Sequence, residues 1–324
     1  MTSTLAILTL AGLGLQPSTP PVNPKPAAEP LPTVAPEVLP SVDSVLTRLE
    51  TADKDLTSLT AAVRLIKRPP AIEGGGMHVR YGILKFTSGK DAKGGGKPLR
   101  RFAIDIDTII IDGRARDDKQ SYTFDGHYLL EKLPKQKQFV RRHIVGDDQK
   151  KDPLRIGEGP FPIPVGQRKD DLLARFNVTI VPALESAPDS ANLRKILFTC
   201  TQVKLIPKEG TEQAKAFTEI RLWYRSSDML PLFALTQNAD GSSNEVFLDD
   251  IIKNPPVPDS TFDTTAPNKA DGWTGEEQDL RDKAEMGPGD PMALPPGGTL
   301  PAAPLNPVNP AKPNPSEPAP AKPK

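Results

Sequence analysis

The chain has 324 residues, and 41 Lys and Arg balance 41 Asp and Glu to a formal net charge of zero. No basic field points to nucleic acid, and no acidic excess points to a cationic partner. Proline is in excess, with 38 residues against 24 glycines. It gathers at the two ends, so the composition supports one substantial core over residues 41–273 and not two domains.

Residues 1–15 carry "LAILTLAGLGL", an apolar run that suits a signal-peptide core and is too short to span a bilayer as a helix. The signal is atypical, because no Lys or Arg precedes the run and no A-x-A site follows it. No Cys follows it either, which excludes a lipid-modified terminus. An exported, periplasmic protein is the expectation. Residues 16–40 read as a Pro-rich linker, and residues 274–324 as a disordered Pro-rich tail that cannot bury enough apolar surface to offset ordering.

The folded part opens with a helix. "SVDSVLTRLETADKDL" places Val42, Val45, Leu46, Leu49 and Leu56 on one face, with Pro40 and Ser41 as the start signal. Next, "TSLTAAVRLIKR" puts Leu59, Ala61, Val63 and Leu65 on one strand face. "GGGMHVRYGILKFTSGK" is the following strand, and "LRRFAIDIDTIIIDGRARDD" alternates Phe102, Ile104 and Ile106 with Asp105 and Asp107. "QSYTFDGHYLLEKLPKQKQFVRRHI" reads as strands joined at Asp125-Gly126 and again at Pro134. A Gly- and Pro-rich stretch leads to a short helix, "RKDDLLARF", and a strand, "NVTIV".

From about Arg194 to Trp273 four strands are expected, broken at "KEGTEQ", "SSDMLP" and "NADGSS". In "FTEIRLWY", Ile220, Leu222 and Tyr224 alternate with Glu219, Arg221 and Trp223, the period of a strand with one covered face and one wet face. Cys200 is the only cysteine, so no intramolecular disulfide can form, and it reads as a small buried hydrophobe.

Catalytic chemistry finds no support. His78, His127 and His143 form neither H-x-H nor H-x-x-x-H, so no zinc site is expected. His127, after "FDG", reads as an exposed turn residue. The pair Asp105/Asp107 is the wet side of a strand in preference to a calcium site or a glycosidase pair. "KGGGKPL" lacks phosphate-loop spacing, and G-x-S-x-G is absent. No cofactor, metal or catalytic residue is expected.

The order of elements resembles the outer-membrane lipoprotein carrier (LolA-like) family, as a divergent branch. The pieces that carry the resemblance are the "VLTRLETADKDLTSLTAAVRLIKR" helix–strand start, the "VKLIP" strand end and the "DMLP" turn. To these are added the "LDDIIKN" strand and the closing "FDTTAPNKADGW", so the match covers about residues 42–273. "IDTIIIDGRARDDKQ" is an insertion relative to the family, and the proline-rich arms are a further departure.

The resemblance implies an α+β fold: a strongly curved antiparallel sheet forming an incomplete β-barrel covered by helices. It implies a non-enzymatic, monomeric protein whose apolar interior takes acyl chains of lipids or lipoproteins, as a periplasmic carrier does. The cavity candidates are Leu59, Val63, Leu65, Phe102, Ile104, Ile106, Ile220, Leu222 and Tyr224. The family's arginine, on the strand entering "K-R-P-x-x-F", has its nearest counterpart in "KPLRRF", which makes Arg100 or Arg101 the candidate for the polar rim. The alternative is an envelope sensor or structural module that binds a protein partner with the same fold.

Overall fold

A computed structural model describes residues 38–70, 76–90, 98–111, 113–145, 156 and 165–280. The apolar run, most of the linker and the chain beyond residue 280 lie outside the described residues. The elements below belong to the unit that begins at Leu39.

Helix α1 (Val42–Thr51) starts at Ser41, whose hydroxyl accepts a hydrogen bond from the Ser44 N–H at 3.2 Å. That bond satisfies one of the orphan donors of the first turn. Six strands follow: β1 (Ser58–Arg68), β2 (His78–Lys90), β3 (Pro98–Ile111), β4 (Arg114–Phe124), β5 (Tyr128–Leu133) and β6 (Gln138–His143). Helix α2 (Lys169–Arg175) runs directly into β7 (Phe176–Val181). After α3 (Ala191–Leu197) come β8 (Cys200–Pro207), α4 (Glu212–Ala216), β9 (Phe217–Arg225), β10 (Pro231–Asn238), β11 (Ser243–Lys253) and β12 (Thr274–Asp279). The expected turns hold local bonds. The Asp125 carboxylate accepts from the N–H groups of His127 and Tyr128 at 2.8 and 2.7 Å.

All twelve strands form one sheet in the order β12-β6-β5-β4-β3-β2-β1-β11-β10-β9-β8-β7. Every neighbouring pair is antiparallel except β12 with β6, which is parallel. The order does not close on itself, so β7 and β12 stand at its two ends. β3 and β7 are seven places apart, roughly 34 Å in a flat sheet. Yet α1, about 15 Å long, packs beside β7 while Asp53 just beyond it bonds Arg100 of β3. The sheet therefore curls around α1.

Curling demands close approach at one point. A Cβ on Gly82 would collide with the backbone oxygen of Asp105, beside the register shift where β3 carries an extra residue between Ile106 and Thr108. That bulge bends β3 around the interior.

Several expectations are corrected. Residues 194–197, read as the start of a strand, belong to α3. Leu193 and Leu197, one turn apart, supply its buried stripe, and the strand begins at Cys200. The outward side of β9 is not wet. Trp223 is 0% exposed, and its Nε1 donates to the Ala183 carbonyl at 2.7 Å. A second cluster of Leu193, Leu197, Cys200, Leu232, Phe233 and Phe247 surrounds it under α3. The folded region also runs past Trp273: residues 274–279, placed in the tail by composition, form β12 on the edge of β6. Its side chains are almost all exposed, so it follows no apolar pattern that periodicity could detect. The segment read as an insertion extends the β3–β4 hairpin, and α4 was not foreseen.

Candidate functional site

Antiparallel partners share a sheet face, so register decides which side chains meet. Phe102 lies opposite Phe86 and Phe124, and Ile104 opposite Leu84 and Tyr122. Leu222 lies opposite Val203 and Ala234, and Leu65 opposite Val246. All nine cavity candidates fall in one apolar cluster on the inner face. Leu59, Val63, Leu65, Phe102, Ile104, Ile106, Ile220, Leu222 and Tyr224 are each no more than 3% exposed. The chain's own side chains cover them: Val45, Leu46 and Leu49 of α1, Leu172 of α2, and Ile144, Val145, Ile156 and Val165. The interior is thus apolar and filled.

Polar ties hold α1 in place. Lys169 of α2 pairs with Asp43, and the Arg48 guanidinium donates to the carbonyl of Ser226 beyond β9. Arg100 Nη2 donates to Asp53 Oδ2 at 2.6 Å and to the Gly166 carbonyl at 3.0 Å. Gly166 has φ +59°, and a Cβ there would meet the Asp53 carboxylate, so only glycine fits beneath this pair.

The two rim candidates separate. Arg100 shares the inner face with Phe102. Arg101 lies on the opposite face, where it pairs with Asp259 at 2.9 Å and covers the Phe262 ring with its guanidinium carbon 4.6 Å from the ring centroid. Arg101 pins the strap between β11 and β12 and does not reach the interior.

The far end of the inner face is polar, and the candidate list contains none of it. Arg80 lies opposite Leu65 and Ile109, and the next row reads Thr236, Asn244, Lys67 and His78. Arg80 is 3% exposed and Thr236 4%. Lys67, His78 and Asn244 are half-buried. The signal was present in the sequence: "HVRYGILKF" places His78, Arg80, Gly82, Leu84 and Phe86 on one face, polar at one end and apolar at the other.

Elsewhere, burial governs the reactive groups. It pushes the Cys200 thiol up to about 11 and the Tyr224 phenol far above the ordinary tyrosine range. Burial also opposes ionisation of Glu219 and Asp228. Arg221 and Lys204 outweigh it at Glu219, as do Arg225, the Leu230 N–H and Lys253 at Asp228, so both carboxyls sit below the usual range. His127 is half-buried, its ring nitrogen 3.4 Å from the Val145 carbonyl. Asp105 and Asp107 are both exposed.

Fold and site together define an open, mostly antiparallel sheet curled around an apolar interior that a helix fills. No protein-family model and no curated protein matches the chain at the sequence level. Among solved structures it is similar to an uncharacterized conserved protein from Thermus thermophilus, at 11% identity and a TM-score of 0.38 over 74% of this chain and 99% of that one. It is similar to a putative outer membrane lipoprotein-sorting protein domain from Vibrio parahaemolyticus, at 13% identity and TM-score 0.35 over 68% of this chain and 95% of that one. A LolA superfamily protein from Nitrosomonas europaea aligns at 10% identity and TM-score 0.32 over 69% of this chain and 98% of that one.

Proposed function

We propose that the protein is an exported, non-enzymatic binder of acyl chains, from lipids or lipoproteins, which it accommodates on the inner face when α1 moves aside. The observation that carries this reading is how that face is covered. A continuous apolar surface contributed by strands from β1 to β11 is closed by the short amphipathic helix α1, Leu172 of α2 and a few loop side chains, not by a second sheet. Displacing Val45, Leu46 and Leu49 would expose apolar wall on all sides, and each methylene bound there contributes about 0.8 kcal/mol. Polar ties such as Arg100–Asp53 set the threshold for release.

The test is titration of the purified protein with a fluorescent fatty acid, beside native mass spectrometry of protein isolated from its own envelope. Saturable binding at micromolar concentration and co-purifying lipid are expected. Asp53→Asn, which weakens a tie on the closing helix, should speed uptake. If nothing binds, the interior is simply a core and the acyl reading fails.

A second reading, an envelope module that binds a protein partner, is favoured by the filled interior itself and by the outward side of β2. There Tyr81 and Ile83 are 39% and 41% exposed. Loss of partner capture on Ile83→Asp, with no lipid bound by the unaltered protein, would select this reading.

A further inference from the structure

Tyr224 is 0% exposed and belongs to the apolar cluster of the interior, yet its hydroxyl makes no hydrogen bond among the described residues. Buried tyrosine hydroxyls normally find a partner. Tyr122, the other tyrosine on the inner face, has one: its hydroxyl donates to Gln120 Oε1 at 3.4 Å. Leaving a buried donor unpaired costs more than a made bond usually returns. Phenylalanine would fill the same space without that penalty, so the hydroxyl needs an explanation.

Its place in the sheet supplies one. Register sets Tyr224 opposite Thr201 at the end of β9. Two residues further on, the Ser226 carbonyl accepts from Arg48 of α1, so this is the end of the interior that α1 closes. The Ser226 hydroxyl lies 3.1 Å from that of Thr201. That contact uses one of the two hydroxyl hydrogens and leaves the other free to donate. The guanidinium groups of this end already have acceptors: Arg48 has the Ser226 carbonyl, Arg100 has Asp53 and Arg225 has Asp228. The donors left over along the Tyr224 row are uncharged hydroxyls.

We propose that the Tyr224 hydroxyl is the hydrogen-bond donor for the carbonyl oxygen of an acylated ligand, and that the ligand class is a neutral ester or amide of a long acyl chain. The carbonyl takes the unused bond once α1 moves aside, and the acyl carbons run from it along Leu222, Val203 and Ile220. A neutral carbonyl brings an acceptor at little desolvation cost. A free carboxylate would lose its hydration in a dry site whose spare donors are neutral. The inference rests on the acyl-binding reading and adds to it the chemistry of the linkage and the end at which that linkage lies.

Displacement of N-phenylnaphthylamine from the full chain by methyl myristate, N-methylmyristamide and pentadecane separates this inference from its parent. Tyr224→Phe should weaken the ester and the amide by about three- to tenfold and leave pentadecane unchanged. Mild base applied to material that co-purifies with the protein frees ester-linked chains and leaves amide-linked ones. It therefore distinguishes a lipid ester from an acylated amine, and co-purification of free fatty acid alone overturns the proposed ligand class.

Thermal unfolding tests the premise. Tyr224→Phe should melt no lower than the unaltered protein, and a midpoint lower by more than about 3 °C would give the hydroxyl a partner within the fold and overturn the inference. Infrared spectroscopy of carbonyl-labelled methyl myristate on the unaltered protein is independent of any variant. A carbonyl stretch below its value in hexane supports the bond, and one at the hexane value overturns it. Equal affinities of Tyr224→Phe and the unaltered protein for all three ligands overturn the role of Tyr224 and leave acyl binding standing. Failure of all three ligands to bind either protein overturns both.

Discussion

Strands β9 and β2 carry the same alternating pattern, but their outward faces meet opposite fates. Both turn apolar side chains inward: Ile220, Leu222 and Tyr224 from β9, Leu84 and Phe86 from β2. Outward, β9 presents Trp223, sealed beneath α3 and the chain at Ala183, with Phe233 5.0 Å from its ring centroid. Even the Arg221 on that side is 4% exposed, paired with Glu219 and Glu185. β2 presents Tyr81 and Ile83 to solvent. Alternation therefore reports which residues share a face and says nothing about whether that face is covered. Coverage depends on chain that arrives from elsewhere.

The largest effect should come from the covered face. Trp223→Ala should cost about 3–5 kcal/mol in denaturant unfolding, because it removes a large ring and the donor to Ala183. A loss below about 1 kcal/mol would mean that α3 does not seal this face. Gly82→Ala should cost about 1–3 kcal/mol, since the new methyl must push the Asp105 carbonyl and open the bend of β3. A neutral outcome would show that the approach of β2 and β3 is looser than the register implies.

Cys200 tests the same cover chemically. With its thiol pushed up to about 11 by burial, it should resist a disulfide-exchange reagent at pH 8 and react at once in denaturant. Rapid labelling of native protein would contradict a sealed outer cluster.

Acid should weaken the covered half next. Glu219 and Asp228 have folded values below their unfolded ones. Their stabilisation is complete above the unfolded carboxylate range, near about pH 4. It is lost as pH falls through the lower folded values. Each carboxylate is 23% exposed, which limits the contribution to about 1 kcal/mol apiece. Glu219→Gln should flatten this part of a stability-versus-pH curve, and an unchanged curve would remove Glu219 from the account. On the open face, Ile83→Ser should change stability by no more than about 0.5 kcal/mol. A larger loss would mean that the outward side of β2 is covered after all.

Much of the inner face was legible from residue order. The helix beginning at Ser41, the turns at Asp125-Gly126 and Asp240-Gly241, and the phase of β1, β3 and β9 all follow from local chemistry. Capping hydroxyls, turn carboxylates and a two-residue period act within a few positions along the chain. For the same reason, Phe102, Ile104 and Ile106 could be grouped with Ile220, Leu222 and Tyr224 before any contact between them was known.

Tertiary structure alone decided the rest. α3 hides in "LRKILF" because a short apolar run fits a strand or a helix equally well, and only the aromatic wall of Trp223 and Phe233 makes the helical stripe of Leu193 and Leu197 the better burial. β12 was invisible because an exposed strand on a sheet edge is held by backbone bonds that any residue can make, as "TGEEQD" does on β6. Arg100 and Arg101 are neighbours in sequence, yet one ties α1 through Asp53 and the other pins the strap through Asp259. Successive strand residues point to opposite faces, and which partner waits on each face is set by segments about 50 to 160 residues away.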